Sequence, residues 1–219
     1  MHLKEQATTA DGPAAPDAHT RQRLLDVATA LFAERGFKKV TVRDLCKAAQ
    51  ANVAAVNYHF GDKQGLYDAV VGRAIAVMRE TNELGIAAGE GLDGEGKIEA
   101  FVRVFFTRVR GTDRLPWIHK LVTREFEEPT GALDAVLTEV VQPRIDYLAD
   151  IVAGLLDREP ADPVVQRLVV SIQSQVLMYA RPIPRKHMPP QWAALIEDLD
   201  EVVRHIMKFS MAGIAAYRS

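Results

Sequence analysis

Two short helical patterns, 42–49 and 53–60, are separated by only the three residues 50–52. No other feature constrains the chain as much. Thr41 is placed to cap the first pattern and Asn52 the second, because short polar side chains accept hydrogen bonds from the free N–H groups of a helix start. Val42, Leu45, Val56 and Phe60 recur at helical spacing and give both helices apolar anchors against a preceding helix. Helices joined so tightly must approach closely, and Ala48, Ala49 and Ala51 keep the junction free of bulk. This is the spacing of a helix-turn-helix.

The remaining sequence keeps the helical period and shows neither a useful alternating strand pattern nor a repeat. The expected fold class is all-α: an N-terminal three-helix helix-turn-helix domain over 20–66, then a C-terminal helical ligand-binding and dimerisation domain over 67–219, about nine helices together. Residues 1–19 lack apolar periodicity and read as a disordered arm. Thr20 is expected to cap the first helix, which carries Leu24, Leu25, Ala28, Leu31 and Phe32, and Gly36 to end it. Gly61 closes the third helix and Asp62 caps a fourth reaching to about 83. Glycines 85, 89, 91, 94 and 96 predict a flexible connection. Further helical patterns occupy about 97–110, 116–127, 132–157, 162–180 and 191–216. Pro143 should kink the third of these, and prolines 182, 184, 189 and 190 should stiffen the loop 181–190.

The 219 residues are 48% hydrophobic and 26% charged, which excludes a fibre or a chain disordered throughout. No run approaches the ~18 apolar residues of a membrane span, and the first 20 residues hold no apolar signal segment. A cytoplasmic protein without membrane partners is expected. The single cysteine, Cys46, excludes an intramolecular disulfide and any Cys-pair metal site. It reads as a buried inert thiol, a redox switch being the alternative. His119, His187 and His205 lack ligand spacing, so neither metal nor cofactor is expected. There is no phosphate loop, nucleophile elbow or catalytic carboxylate pair, so no catalytic residues are assigned.

Charge divides the chain. Residues 20–80 hold ten basic and six acidic side chains, and residues 81–219 hold 16 basic and 20 acidic. An anionic partner therefore suits the first part only. A helix-turn-helix lays its second helix in the major groove of double-stranded DNA. With Val56 and Phe60 turned inward, Ala54, Asn57 and Tyr58 point outward, and Asn52 and Val53 begin the same helix. Asparagine suits adenine edges, and tyrosine suits a phosphate or a thymine methyl. Thr41, Arg43 and Lys63 lie at helix ends as candidate phosphate contacts. Lys63 has the alternative of a solvated charge. His59 has two readings, a phosphate contact or packing beside the first helix.

Residues 20–66 resemble the DNA-binding domain of the TetR family of bacterial transcriptional repressors. The likeness is carried by TRQRLLDVATALFAERGF, then T-V-R-D-L, then N-Y-H-F-G-D-K-Q-G-L. The family pattern usually has Gly-Val-Ser at the turn, where this chain has Gln50, Ala51 and Asn52. Gly-Thr is replaced by Ala54 and Ala55, and the usual tyrosine by Asn57, with Tyr58 one residue later. Base contacts of better-known members therefore do not transfer. The V-N-Y-H-F-G-D-K form resembles a subgroup related to the CecR-like regulators, as do Arg124 and Glu125, Pro129 and Thr130, and the A-R-P at 180–182.

The resemblance implies an Ω-like homodimer whose last two helices pair with their dyad mates. It also implies a small hydrophobic effector bound in the second domain, which shifts the two reading heads. Segments 164–179 and 192–214 carry apolar stripes that suit such a bundle, or burial within one chain. Candidate effector-pocket residues are Phe101, Phe105, Trp117, His119, Phe126, Met178 and Tyr179, with Phe106 beside them; most aromatics at such spacing are core. Arg124 and Glu125 either orient a ligand or pair with each other at the surface. The functional expectation is a ligand-responsive repressor on a palindromic operator. The alternatives are an all-α enzyme or small-molecule carrier with purely structural N-terminal helices, and a sequence-indifferent DNA-binding protein.

Overall fold

A computed structural model describes residues 16–110, 116–180 and 189–218. Among these, every regular element is helical: α1 Pro16–Arg35, α2 Val42–Ala49, α3 Val53–Phe60, α4 Lys63–Ala88, α5 Gly94–Arg110, α6 Pro116–Glu127, α7 Ala132–Val136, a π-helical turn Leu137–Val141, α8 Gln142–Leu156, α9 Pro163–Ala180, α10 Pro190–Glu197 and α11 Leu199–Ala215. The all-α reading holds. Residues 1–15 of the expected arm and 181–188 of the proline-rich loop lie outside the described residues. The chain divides into two compact units within α4, after Val70.

The first unit is built on α1. It begins at Pro16, not after Thr20, so residues 16–19 are helical rather than part of an arm. The cause is local: proline at a helix start gives up an N–H that has no helical partner, and Asp17 supplies the negative charge that a first turn favours. Gly36 ends the helix as expected, at φ 80° with its N–H on Phe32 O at 2.8 Å. Leu24, Ala28 and Phe32 of α1, Leu45 and Ala49 of α2, Val56 of α3 and Leu66 and Tyr67 of α4 are all buried. The Phe32 and Tyr67 rings meet edge to face at 5.0 Å between centroids. Each of the large apolar side chains among them contributes about 1.5–3 kcal/mol by leaving water. This cluster is what holds the two short helices, since an isolated eight-residue helix is unstable in water.

The second unit has its core where α5, α8, α9 and α11 meet, around Phe106, Leu148, Val152, Val169, Val203 and Ile206. The glycines expected to form a flexible connection do something else. α4 runs through Gly85 to Ala88, and α5 already starts at Gly94, leaving a turn of five residues. A Cβ on Gly85 would stand 2.6 Å from the Phe101 ring, and one on Gly94 would stand 2.8 Å from Leu155. Only Gly91 uses the left-handed backbone, at φ 77°. These glycines mainly permit close helix packing.

Two long patterns are interrupted. In 132–157 the break precedes Pro143. Proline has no N–H, and its ring clashes with the carbonyl four residues back, here that of Glu139. The ladder widens into the π-helical turn 137–141. Asn82 Nδ2 of α4 donates to Val140 O there at 3.0 Å. In 191–216, Asp198 is extended and its side chain accepts from the N–H groups of Asp200 and Glu201, so it ends α10 and caps α11. Short polar side chains compete with the helix in this way.

Several large apolar side chains of α9 and α11 remain exposed: Val170 (56%), Leu177 (44%), Met178 (60%) and Phe209 (62%). Ring contacts run from Tyr179 to His205 and on to Phe209.

Replacing Gly85 by leucine should drive a side chain into the buried Phe101 ring. An unfolding titration in urea is expected to show a loss of about 2–3 kcal/mol, with helix content retained in dilute buffer.

Candidate nucleic-acid interface

α2 starts in a capping box. The Asp44 N–H donates to Thr41 Oγ1 at 3.2 Å, and the Thr41 N–H donates to Asp44 Oδ2 at 2.9 Å. The Thr41 hydroxyl also donates to Asp44 Oδ2, at 2.6 Å, and this bond together with that from the Thr41 N–H holds the Asp44 carboxyl below its ordinary range. The helix ends on Gln50, in the left-handed region at φ 49° and ψ 47°. Its last carbonyls would be orphans. Arg23 of α1 meets them, with Nε on Ala49 O at 2.6 Å and Nη2 on Gln50 O at 3.5 Å. α3 then starts at its cap Asn52, whose Oδ1 accepts from the Ala55 N–H at 2.8 Å.

Rotation of α3 follows from burial. Val56 is fully buried and Phe60 half-buried, with the Arg21 guanidinium 5.1 Å over its ring. Asn52, Val53, Ala54, Asn57 and Tyr58 are exposed, Tyr58 at 76%. Thr41 and Arg43 are exposed on the start of α2. An open groove follows the outward side of α3, lined by Asp17, Arg23, Asn52, Ala54 and Tyr58 among others.

Other candidates are engaged within the protein. The His59 side chain is only 7% exposed, and its Nε2 lies 3.2 Å from Asp17 Oδ1. Of its two readings, packing beside α1 is the one this geometry carries. Lys63 places Nζ 4.1 Å over the Phe37 ring, a cation–π contact rather than a solvated charge. At the junction Ala49 is buried but Ala48 is exposed, so the close approach rests on Ala49. Cys46 is a buried free thiol. Sequence reasoning missed Arg23, Asp17 and the left-handed Gln50. Only the Gly-to-Gln departure at 50 signalled the last of these.

The expected effector residues do not form one set. Phe101 and Phe106 are buried, and Phe105, Trp117, His119 and Tyr179 half-buried. His119 Nδ1 lies 3.5 Å from Thr123 Oγ1, and Arg73 lies 5.9 Å over Trp117. Phe126 (56%) and Met178 (60%) face outward; they sit on the outer sides of α6 and α9, away from the packed interior. Glu125 is buried and accepts from the N–H and hydroxyl of Thr130, so it is no surface partner for Arg124. Among the described residues, no cluster of histidine, cysteine and carboxylates could hold a metal, and no helix is long and apolar enough to cross a membrane.

An all-α chain that carries a helix-turn-helix ahead of a helical second unit is a DNA-binding regulator by architecture. Family comparison agrees. Residues 24–70 match the model of bacterial regulatory proteins of the tetR family, and residues 95–214 match that of the C-terminal domain of the HTH-type transcriptional dual regulator CecR. The chain belongs to the TetR family of transcriptional regulators, with a CecR-type C-terminal domain. The reading as an enzyme or carrier with structural N-terminal helices falls with that assignment. The HTH-type transcriptional repressor KstR2 of Rhodococcus jostii is 32% identical over 90 residues, covering 41% of this chain and 43% of that protein. The repressor AcnR of Corynebacterium efficiens is 40% identical over 63 residues, 29% of this chain and 34% of that one. The chain thus spans under half the length of either relative. Two solved structures share the fold: a TetR-like regulator from Rhodococcus sp. RHA1 (TM-score 0.65, 16% identity, 94% of this chain and 99% of that one) and SCO4454 from Streptomyces coelicolor (0.64, 18%, 92% and 91%).

Gln50→Gly should remove the strain of a left-handed side-chain-bearing residue. Denaturant unfolding is expected to show a gain of about 0.5–1 kcal/mol, after the entropy that glycine adds to the unfolded chain.

Proposed function

We propose that this regulator is a repressor that binds a palindromic operator as a homodimer and is released by a small hydrophobic effector. The observation that carries the reading is the outward set on α3: Asn57 and Tyr58 exposed beside the small Ala54. Asn52 and Val53 at the start of α3, and Thr41 and Arg43 at the start of α2, extend that contact. Lys63 and His59 support it from the edge, His59 by positioning α3 through Asp17.

One recognition helix makes few contacts. Two, set about 34–36 Å apart by a dyad, read successive major grooves. The exposed apolar side chains of α9 and α11 support a pairing surface between two copies. KstR2 and AcnR are both described as repressors, which favours repression over activation. An effector can weaken operator binding only by as much as it prefers the DNA-incompetent state, ~1–3 kcal/mol in most coupled systems.

The test is a gel-shift titration with the duplex upstream of the protein's own gene against a scrambled duplex of equal length. Saturable binding to the native duplex alone, falling steeply with salt, is the expected result. Equal weak binding to both at low salt would sink the operator reading. Tyr58→Ala is expected to weaken the specific complex at least ~10-fold while leaving the melting temperature unchanged, because its ring is exposed. Phe209→Glu should move the full chain to monomer mass in light scattering and weaken operator binding with it.

A further inference from the structure

Arg144, in the first turn of α8, is the one described arginine whose enclosed Nε finds no acceptor. Its residue as a whole is half-buried, yet among the described residues no hydrogen bond or ion pair joins the guanidinium to another side chain or carbonyl. What it does have is the Phe105 ring, 5.9 Å from Cζ. Burial pulls its pKa down to about 10, so it stays charged at neutral pH. The contrast with Arg110 is instructive. That guanidinium also packs on a ring, Phe106 at 5.2 Å, but donates to Ile196 O at 2.6 Å and to Tyr179 O at 2.7 Å.

An enclosed charge is unfavourable unless it is paired and hydrogen-bonded, so a guanidinium enclosed at Nε without an acceptor suits a counter-charge from outside the chain. Two features of α8 and of its neighbour α9 point the same way. The helix into which it is built is interrupted directly before it by the π-helical turn 137–141, a distortion frequent at functional sites. Gln173 Oε1 on α9, which packs on α8, is a second enclosed polar atom without a donor.

We infer that Arg144 is the anchor of the effector site, and that the effector is an organic anion, a carboxylate carried on an apolar body. Guanidinium geometry favours this class: two parallel N–H donors match a planar carboxylate. The apolar body lies against Phe105. The inference rests on the reading of the second unit as the effector-binding part.

The experiment uses the full chain and matched probes: 2-naphthoate against 2-naphthamide, and decanoate against decanamide. Thermal unfolding and calorimetry are run on the wild type, Arg144→Gln and Arg144→Met. At least one carboxylate is expected to raise the wild-type Tm by a few degrees where its amide does not, and to bind at least ~10-fold more weakly to Arg144→Gln. Arg144→Met without probe is expected to be at least as stable as wild type, because it removes an unpaired charge and keeps the stem. Equal responses to acid and amide, a carboxylate response that survives in Arg144→Gln, no response to either carboxylate, or an unstable Arg144→Met would each overturn the assignment. None of these readouts involves DNA. Absence of operator binding would sink the repressor reading alone, and loss of the Arg144 dependence would sink the site alone.

Discussion

The burial of Val56 decides what this protein can present to a partner. α3 has only eight residues, so a single fully enclosed side chain, helped by half-buried Phe60, fixes its rotation. Turn the helix by one position, about 100°, and Val56 would be lost to water while Asn57 entered the apolar cluster of Leu24, Phe32 and Leu45. Both changes are unfavourable, by desolvation in one case and by lost burial in the other. The open face of Asn52, Val53, Ala54, Asn57 and Tyr58 is therefore set from the inside. Arg23 adds the second restraint by binding the carbonyl end of α2, so the turn 50–52 is held at both its entry and its exit.

The two units solve different packing problems. The first places two helices too short to stand alone on a frame made by α1 and the start of α4. The second brings long helices close together, and it does so by removing side chains: Gly85 under Phe101 and Gly94 under Leu155. A segment with five glycines looks like a hinge when only composition is visible. In the fold it is mostly a contact surface, with one residue, Gly91, spent on the turn itself.

What was legible in the sequence followed local rules. The capping residues Thr41, Asn52 and Asp62 and the terminators Gly36 and Gly61 act through neighbours a few positions away, and they placed α2, α3 and the start of α4 almost to the residue. The outward face of α3 came from periodicity alone. What failed depended on distant partners or on competition between local signals. Pro16 and Asp17 outcompeted Thr20 as the start of α1. Asp198, followed three residues later by Glu201, held a readable cap signal inside what looked like one long helix. Arg23 contacts residues 26 and 27 positions away, and no local pattern gives that. The candidate pocket residues of the second unit mix two faces: Phe101 is buried, while Phe126 and Met178 lie outside the packed interior. Side-chain type cannot separate a core face from an exposed one when both are apolar.

The hydrogen bond from Asn82 to Val140 O has a mechanical meaning. The Val140 carbonyl lies in the widened turn before Pro143, and a side chain from α4 donates to it in a buried position. Such a bond does not stretch gradually. A slide of α4 by one residue against this turn would swing Asn82 away and leave both the amide and the carbonyl enclosed and unmatched. The contact ties α4 to the widened turn in one register.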